Sequence, residues 1–352
     1  MYRHLLVPID ATDLSVEVIG NAVALARTLA ARITFFHAEA DAAGSLRGDA
    51  EVLRLAAPQD YDYAYAGKAR ELLAKAEAAA RALGVPCEAR HAVHGKPAQA
   101  IVEAARACGA DLIFMASHGH RGKLRMALAS ETLSVLMNAG LPVLVSSTGE
   151  PAAPARSIGI IRDEHRSLAA VMHAWMHALA TATRAGRAAD PAVMAAMLRY
   201  VQQFPLKLHH PKEEQYLFSR LRARSEEARA ELDELERQHE RDHQLVAALA
   251  AQVKQLEDAA DEAADEATDE AKRAELTRVL EADVAAYARF LWDHMGREEG
   301  VILPAARRHL LAEDWQAIDA AFELNRDPNF GGEVDREYRQ LFSRIVNLAS
   351  AG

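Results

Sequence analysis

Two segments of the chain repeat one pattern of metal-binding residue types. His209-His210-Pro211-Lys212-Glu213-Glu214-Gln215-Tyr216-Leu217-Phe218 and His294-Met295-Gly296-Arg297-Glu298-Glu299-Gly300-Val301-Ile302-Leu303 both read as a His, three residues, a Glu pair, one residue, then three apolar or aromatic residues. On a helix, residues four apart share a face. His209 with Glu213 and His294 with Glu298 therefore each set an imidazole beside a carboxylate, which is half of a metal site. His239 and His243 keep the same spacing, and His165 supplies a further imidazole. Facing helices of a bundle can direct such a set into one core, where carboxylates bridge two ions and His completes the ligation. His210 and Glu214 are also four apart. Only His209 with Glu213 matches the offset of His294 and Glu298 from the apolar triplet, and that offset selects this pair.

Taken singly, a buried His is an ordinary core residue and a Glu pair is an ordinary solvated face. Taken together, seven buried polar groups at ~1–3 kcal/mol each would cost an amount comparable with the ~5–15 kcal/mol net stability of a domain. Metal coordination removes that cost.

The chain has 352 residues, enough for two domains, and a formal net charge of −10. That balance argues against a broad nucleic-acid or anionic-membrane surface. Residues 257–270 carry eight carboxylates and no base; recurring every four residues, they read as a solvated stripe. Cys87 and Cys108 are the only cysteines, too few for a disulfide framework. The N-terminus lacks a long apolar leader, and no run reaches the ~20 apolar residues of a membrane helix. A cytoplasmic protein is expected.

Residues 1–147 alternate β-like runs at 5–9, 33–38, 87–93, 112–116 and 142–145 with helical patterns at 15–30, 68–83, 97–107 and 130–138, which argues for a five-stranded parallel α/β sheet. Gly84, Gly109 and Gly140 fall just past helix ends. Residues 41–66 form an insertion without an assigned role. Residues 148–156, with Pro151 and Pro154, read as a linker. From 157 to 352 the β-runs stop and helical patterns take over, at 158–185, 191–224, 228–255 and 272–295 with a continuation toward 311. This is the pattern of an up-down four-helix bundle. Leu168, Val171, Met172, Trp175 and Leu179 form a core stripe after His165. Pro205 and Pro211 should kink the second helix near His209. The tail around 327–332 reads as packing against the bundle.

The loop Ala116-Ser117-His118-Gly119-His120-Arg121-Gly122-Lys123 leads toward a helix at Ala129-Ser130, a setting in which free backbone N–H groups can receive phosphate. With Val7-Pro8-Ile9-Asp10 at the start and Pro142-Val143-Leu144-Val145 at the end, residues 1–147 resemble the universal stress protein family. ATP-binding members carry a G-x-x-G loop, nine residues, then G-S or G-T, and an early Asp that contacts the nucleoside. The resemblance carries nucleotide contacts to Asp10, Gly119 and Ser130. Ala116 and Ala129 stand where the family has Gly, and a Cβ there holds the backbone away from phosphate, so ATP binding is weakened. The family also commonly dimerises through its edge strand, here residues 142–145, and an exposed edge needs cover; the resemblance implies a homodimer.

Residues 157–352 resemble the hemerythrin-like (HHE cation-binding) family, on the ordered set His165, His209 with Glu213, His239, and His294 with Glu298. The resemblance implies a non-haem di-iron centre with both Glu bridging, His239, His243 and His294 on one iron, and His165 and His209 on the other. It further implies a module that binds O₂ or NO, fused to a stress domain. Ligation rich in imidazole suits iron but also zinc and copper. Two other readings stand beside it: an enzyme that reduces NO or peroxide or donates iron for repair, and an iron-responsive interaction module.

Titration calorimetry with ATP should show weak binding or none, and exchange of both Ala116 and Ala129 for Gly should strengthen it. Tight binding by the unaltered chain would contradict this reading of the loop.

Overall fold

The computed structural model describes residues 2–40, 58–117, 125–147, 156–261 and 266–323. Residues 41–57 of the insertion, the loop with Gly119, residues 148–155 of the linker and the 327–332 tail lie outside the described residues. Packing divides the chain into two compact units. The first holds a parallel sheet with its helices, together with the helical segment Trp292–Ala305; the second holds the remaining helices.

Five strands, β1 (His4–Pro8), β2 (Arg32–Ala40), β3 (Cys87–His94), β4 (Leu112–Ser117) and β5 (Val143–Ser147), pair in parallel in the order β3-β2-β1-β4-β5. They alternate with α1 (Asp13–Leu29), α2 (Pro58–Ala82), α3 (Pro97–Cys108) and α4 (Arg125–Asn138). Successive side chains of a strand point to opposite faces. Leu5, Val7 and Ile9 accordingly join Val18 and Val23 of α1 and Leu73 of α2 in one core, while Leu6 joins Ile101 of α3 and Val135 of α4 in the other. Burial on both faces is why β1 and β4 read as unbroken apolar runs, whereas the edge strand β3 stays partly exposed. Gly109 closes α3 at φ 68°, with its N–H reaching the Ala105 carbonyl, a conformation that a Cβ resists.

From Arg156 onward come α5 (Arg156–Arg184), α6 (Pro191–Gln203), α7 (Ser219–Arg224), α8 (Arg229–Asp261), α9 (Glu266–Arg297), α10 (Leu303–His309) and α11 (Ala312–Glu323), all in the second unit except the stretch Trp292–Ala305. Between α6 and α7 run a π turn over Pro205–His209, an α turn over His210–Lys212 and a second π turn over Glu213–Phe218; α9 passes to α10 through a π turn over Glu298–Ile302. The repeat seen in sequence thus extends to local structure, because each copy enters a π turn at its first Glu.

The kink expected at Pro205 and Pro211 takes the form of a wider turn, in which a proline without a backbone donor is tolerated. The His209 N–H reaches back five residues to the Phe204 carbonyl at 3.1 Å, and the backbone stays right-handed helical through His209, His210 and Glu213. Helix α11, which was not read from the sequence, closes on α5 and α7. Asp319 accepts from the N–H and hydroxyl of Ser157 at 2.8 and 2.7 Å, and Arg224 pairs with Asp314 at 2.9 Å.

The stripe of Leu168, Val171, Met172, Trp175 and Leu179 is buried along α5, and the Trp175 indole N–H donates to the Met194 sulfur at 3.2 Å. Trp175→Ala should cost about 3–5 kcal/mol in urea unfolding. A loss under about 1 kcal/mol would show that this stripe is not the core.

Candidate metal centre

Four helical runs supply the ligand-type side chains. His165 sits on α5, His209 and Glu213 on the π-helical run between α6 and α7, His239 on α8, and His294 with Glu298 where α9 enters its π turn. All are buried, Glu213 completely. Three groups bring one ligand atom per residue within 4.8 Å of one another: His165, His209, Glu213 and Glu298; Glu213, His239, His294 and Glu298; and His210, His239 and His294. Glu213 and Glu298 belong to two of these groups.

The spacings fit cation ligands. The Nε2 atoms of His165 and His209 stand 3.2 Å apart, and Glu213 Oε1 is 3.2 Å from His209 Nε2. Donors bonded to one ion at about 2.1 Å and at right angles to each other lie about 3 Å apart. Glu213 Oε2 faces His239 Nε2 at 3.7 Å, and His294 Nε2 faces Glu298 Oε1 at 3.5 Å. Both Glu213 oxygens are buried without a hydrogen bond. An ionised carboxylate in that state costs several kcal/mol, which a cation between these atoms would offset.

The structure leaves His243 at the surface of α8 and outside all three groups, and brings in His210 instead. On α8, His239 and the buried Asp242 face inward and His243 outward. The repeat offset selects His209 over His210 in the sequence; the structure buries both, at 2% and 3% exposure, with rings 5.6 Å apart. The available signal was the His-His doublet bracketed by Pro205 and Pro211.

Two further carboxylates hold outer nitrogens of the imidazoles, and a third lies near one, beyond hydrogen-bond distance. His209 Nδ1 meets the buried Glu164 at 2.6 Å, His239 Nδ1 meets Glu214 at 2.7 Å, and His210 Nδ1 stands 3.8 Å from Asp242. Carboxylates so placed fix ring orientation and raise ligand basicity. Burial disfavours a charged His209, yet Glu213 and Glu164 outweigh it and hold this ring well above the usual imidazole range. Burial lifts the Asp242 carboxyl to about 6, against the opposing pull of Tyr287 and His239.

In the first unit, β1 lies between β2 and β4, and the crevice beyond the carboxyl ends of β1 and β4 is the topological switch point at which such sheets bind ligands. Asp10 stands there. Its Oδ1 accepts from the Thr12 N–H at 3.0 Å and from the Ser15 hydroxyl at 2.7 Å. Ala116 is buried at the end of β4, and Ala129 and Ser130 lie within α4.

The universal stress protein family model matches residues 1–147, and the hemerythrin HHE cation binding domain model matches residues 156–306. The chain is a universal stress protein domain fused to a hemerythrin HHE domain. No curated protein matches it. Among similar solved structures, a universal stress protein in complex with cAMP is 23% identical, over 42% of this chain and 98% of its own, with a TM-score of 0.32. The universal stress protein UspA from Lactobacillus plantarum is 25% identical, over 41% and 97%, with a TM-score of 0.31. The universal stress protein from Archaeoglobus fulgidus in complex with dAMP is 21% identical, over 41% and 97%, with a TM-score of 0.29.

The HHE match ends before α11, whose Phe322 packs edge-on to His209 with centroids 6.4 Å apart; from within the match, Phe204 flanks the same ring at 6.2 Å and Phe218 stacks on His239 at 5.7 Å.

Asp242 gives the HHE domain a pH dependence of definite sign. A carboxyl whose folded pKa lies above its unfolded value destabilises the fold progressively as pH rises from about 4 to 6, and fully above that. In the metal-free chain, Asp242→Asn should therefore add roughly 3 kcal/mol to stability at pH 7.5 and almost nothing at pH 4. Urea unfolding at both values checks this; an equal gain at the two would rule out titration of Asp242 as the cause.

Proposed function

We propose that the HHE domain holds two iron ions and takes up O₂ or NO reversibly at one of them. The observation that carries this reading is the sharing of Glu213 and Glu298 between two ligand groups, the arrangement of two ion positions bridged by two carboxylates. His165 and His209 would complete one position, and His210, His239 and His294 the other. Five protein ligands against four leave the two-His ion more open, and the small ligand binds there. Iron supplies the electrons for that binding.

Charge supports two ions as well. Glu164, Glu213, Asp242 and Glu298 are all buried, and four carboxylates balance two divalent cations. The phenyl rings around His209 and His239 make a dry setting that suits a small apolar ligand and keeps water from an oxidised site.

The stress-protein domain is the dimerising half in this reading. Leu133, Leu136 and Met137 of α4 and Leu144 of the edge strand β5 are exposed, and pairing of two copies would cover them. Adenine nucleotide at the β1–β4 crevice is a weak ligand, for the reason given by Ala116 and Ala129. Both thiols are free, in keeping with a cytoplasmic setting.

Iron content and the optical spectrum test the ligand set together. The chain loaded anaerobically with Fe²⁺ should carry two ions and show a spectral change with O₂ that reverses on its removal. His243→Ala should match the parent in both respects, whereas His210→Ala should lose iron or oxidise irreversibly. One ion per chain in the parent, or iron loss in His243→Ala with His210→Ala unaffected, would overturn the assignment.

A further inference from the structure

We infer that helix α2 of the stress-protein domain backs the metal-binding turn of the HHE domain, so that the fit between the two sets the affinity of the metal centre. This rests on the reading that His294 and Glu298 are metal ligands. The segment Trp292–Ala305, which carries both, packs within the same compact unit as the sheet and its helices.

The contact is made through Gly296 and Gly300, placed two residues before and two after Glu298. A Cβ built on Gly296 would fall 2.5 Å from the Lys75 carbonyl oxygen and 2.6 Å from Lys75 Cα, and one on Gly300 would overlap the Ala79 Cβ. No side chain fits at either place, so the two helices meet backbone to backbone. The facing stretch of α2 is correspondingly small, with Ala76, Ala78, Ala79 and Ala80. In the other copy of the repeat the equivalent residues are Pro211 and Gln215, which this contact could not accept. The glycine pair therefore distinguishes the copy that meets α2.

Polar contacts fix the register. Lys75 Nζ lies 3.3 Å from Glu299 and 3.1 Å from Glu71, and Arg81 pairs with Asp293 at 2.9 Å. On the side of α1, a Cβ on Gly20 would touch Pro304 at 3.4 Å. A helix turns about 100° per residue, so positions two apart point nearly opposite ways. Gly296 and Gly300 face α2 while His294 and Glu298 face away from it, toward the other ligands. A shift of this turn at the α2 contact displaces the two ligands directly, and the linkage is reciprocal: what metal binding gains from the docked turn, the docked turn gains from metal.

The test is a double-mutant cycle in the full chain, with Fe²⁺ affinity measured anaerobically. Gly300→Ala should weaken binding about 10–100-fold, the range for residues that support metal ligands. Ala79→Gly removes the methyl that the new Cβ would strike; alone it should be near neutral, and combined with Gly300→Ala it should restore most of the affinity. Folded Gly300→Ala that binds like the parent, or a loss that Ala79→Gly fails to relieve, would overturn the inference. Should Gly300→Ala fail to fold, recovery of fold and binding in the double variant supports the contact, and no recovery contradicts it. A parent chain that binds no Fe²⁺ sinks the metal reading itself, an outcome distinct from an insensitive Gly300→Ala.

Discussion

Negative charge in the interior of the HHE domain is the constraint on which its other features depend. Glu213 and Glu298 are buried beside the imidazoles of His165, His209, His239 and His294, with Glu164 and Asp242 farther out. One buried, uncompensated carboxylate costs several kcal/mol after relaxation, and a domain has only about 5–15 kcal/mol of net stability. Four buried carboxylates in one helical core favour cations there, and five imidazoles turned toward the same space are natural ligands for them. Folding and metal binding are then one equilibrium rather than two, and the outer carboxylates are part of the ligand design.

The helix geometry serves the same site. His209, His210 and Glu213 fall within about 100° of one helical turn, so one short run buries all three. That run is π-helical at Pro205–His209 and Glu213–Phe218, and the matching π turn at Glu298–Ile302 recurs in the other copy. Proline, which cannot donate to an α-helical ladder, is tolerated there because the ladder is already shifted. The aromatic rings of Phe204, Phe218 and Phe322 complete the surroundings.

The parallel sheet was legible because β1 and β4 are covered on both faces and read as apolar runs, and because glycines end the helices between the strands. His209 with Glu213 and His294 with Glu298 were legible because the chain states the motif twice. His210 was not, since the repeat selects one His of the doublet, and the flanking Pro205 and Pro211 were the only local sign that both are used. His243 misled: its spacing from His239 is that of a shared face, but the buried stripe of α8 runs through Asp242 instead. Gly296 and Gly300 stood in plain view as a small-residue pair, yet their meaning depends on α2, more than 200 residues earlier in the sequence. Long-range partners of this kind leave no periodicity to read.

The stress-protein and HHE domains are each recognisable by their own motifs, and the chemistry assigned to the pair rests on two ions sharing two carboxylates. Anomalous diffraction from crystals of the iron-loaded chain addresses that claim directly. Two peaks are expected, with Glu213 and Glu298 contacting both, His165 and His209 on one, and His210, His239 and His294 on the other. A single peak, or two peaks with neither carboxylate between them, would contradict it.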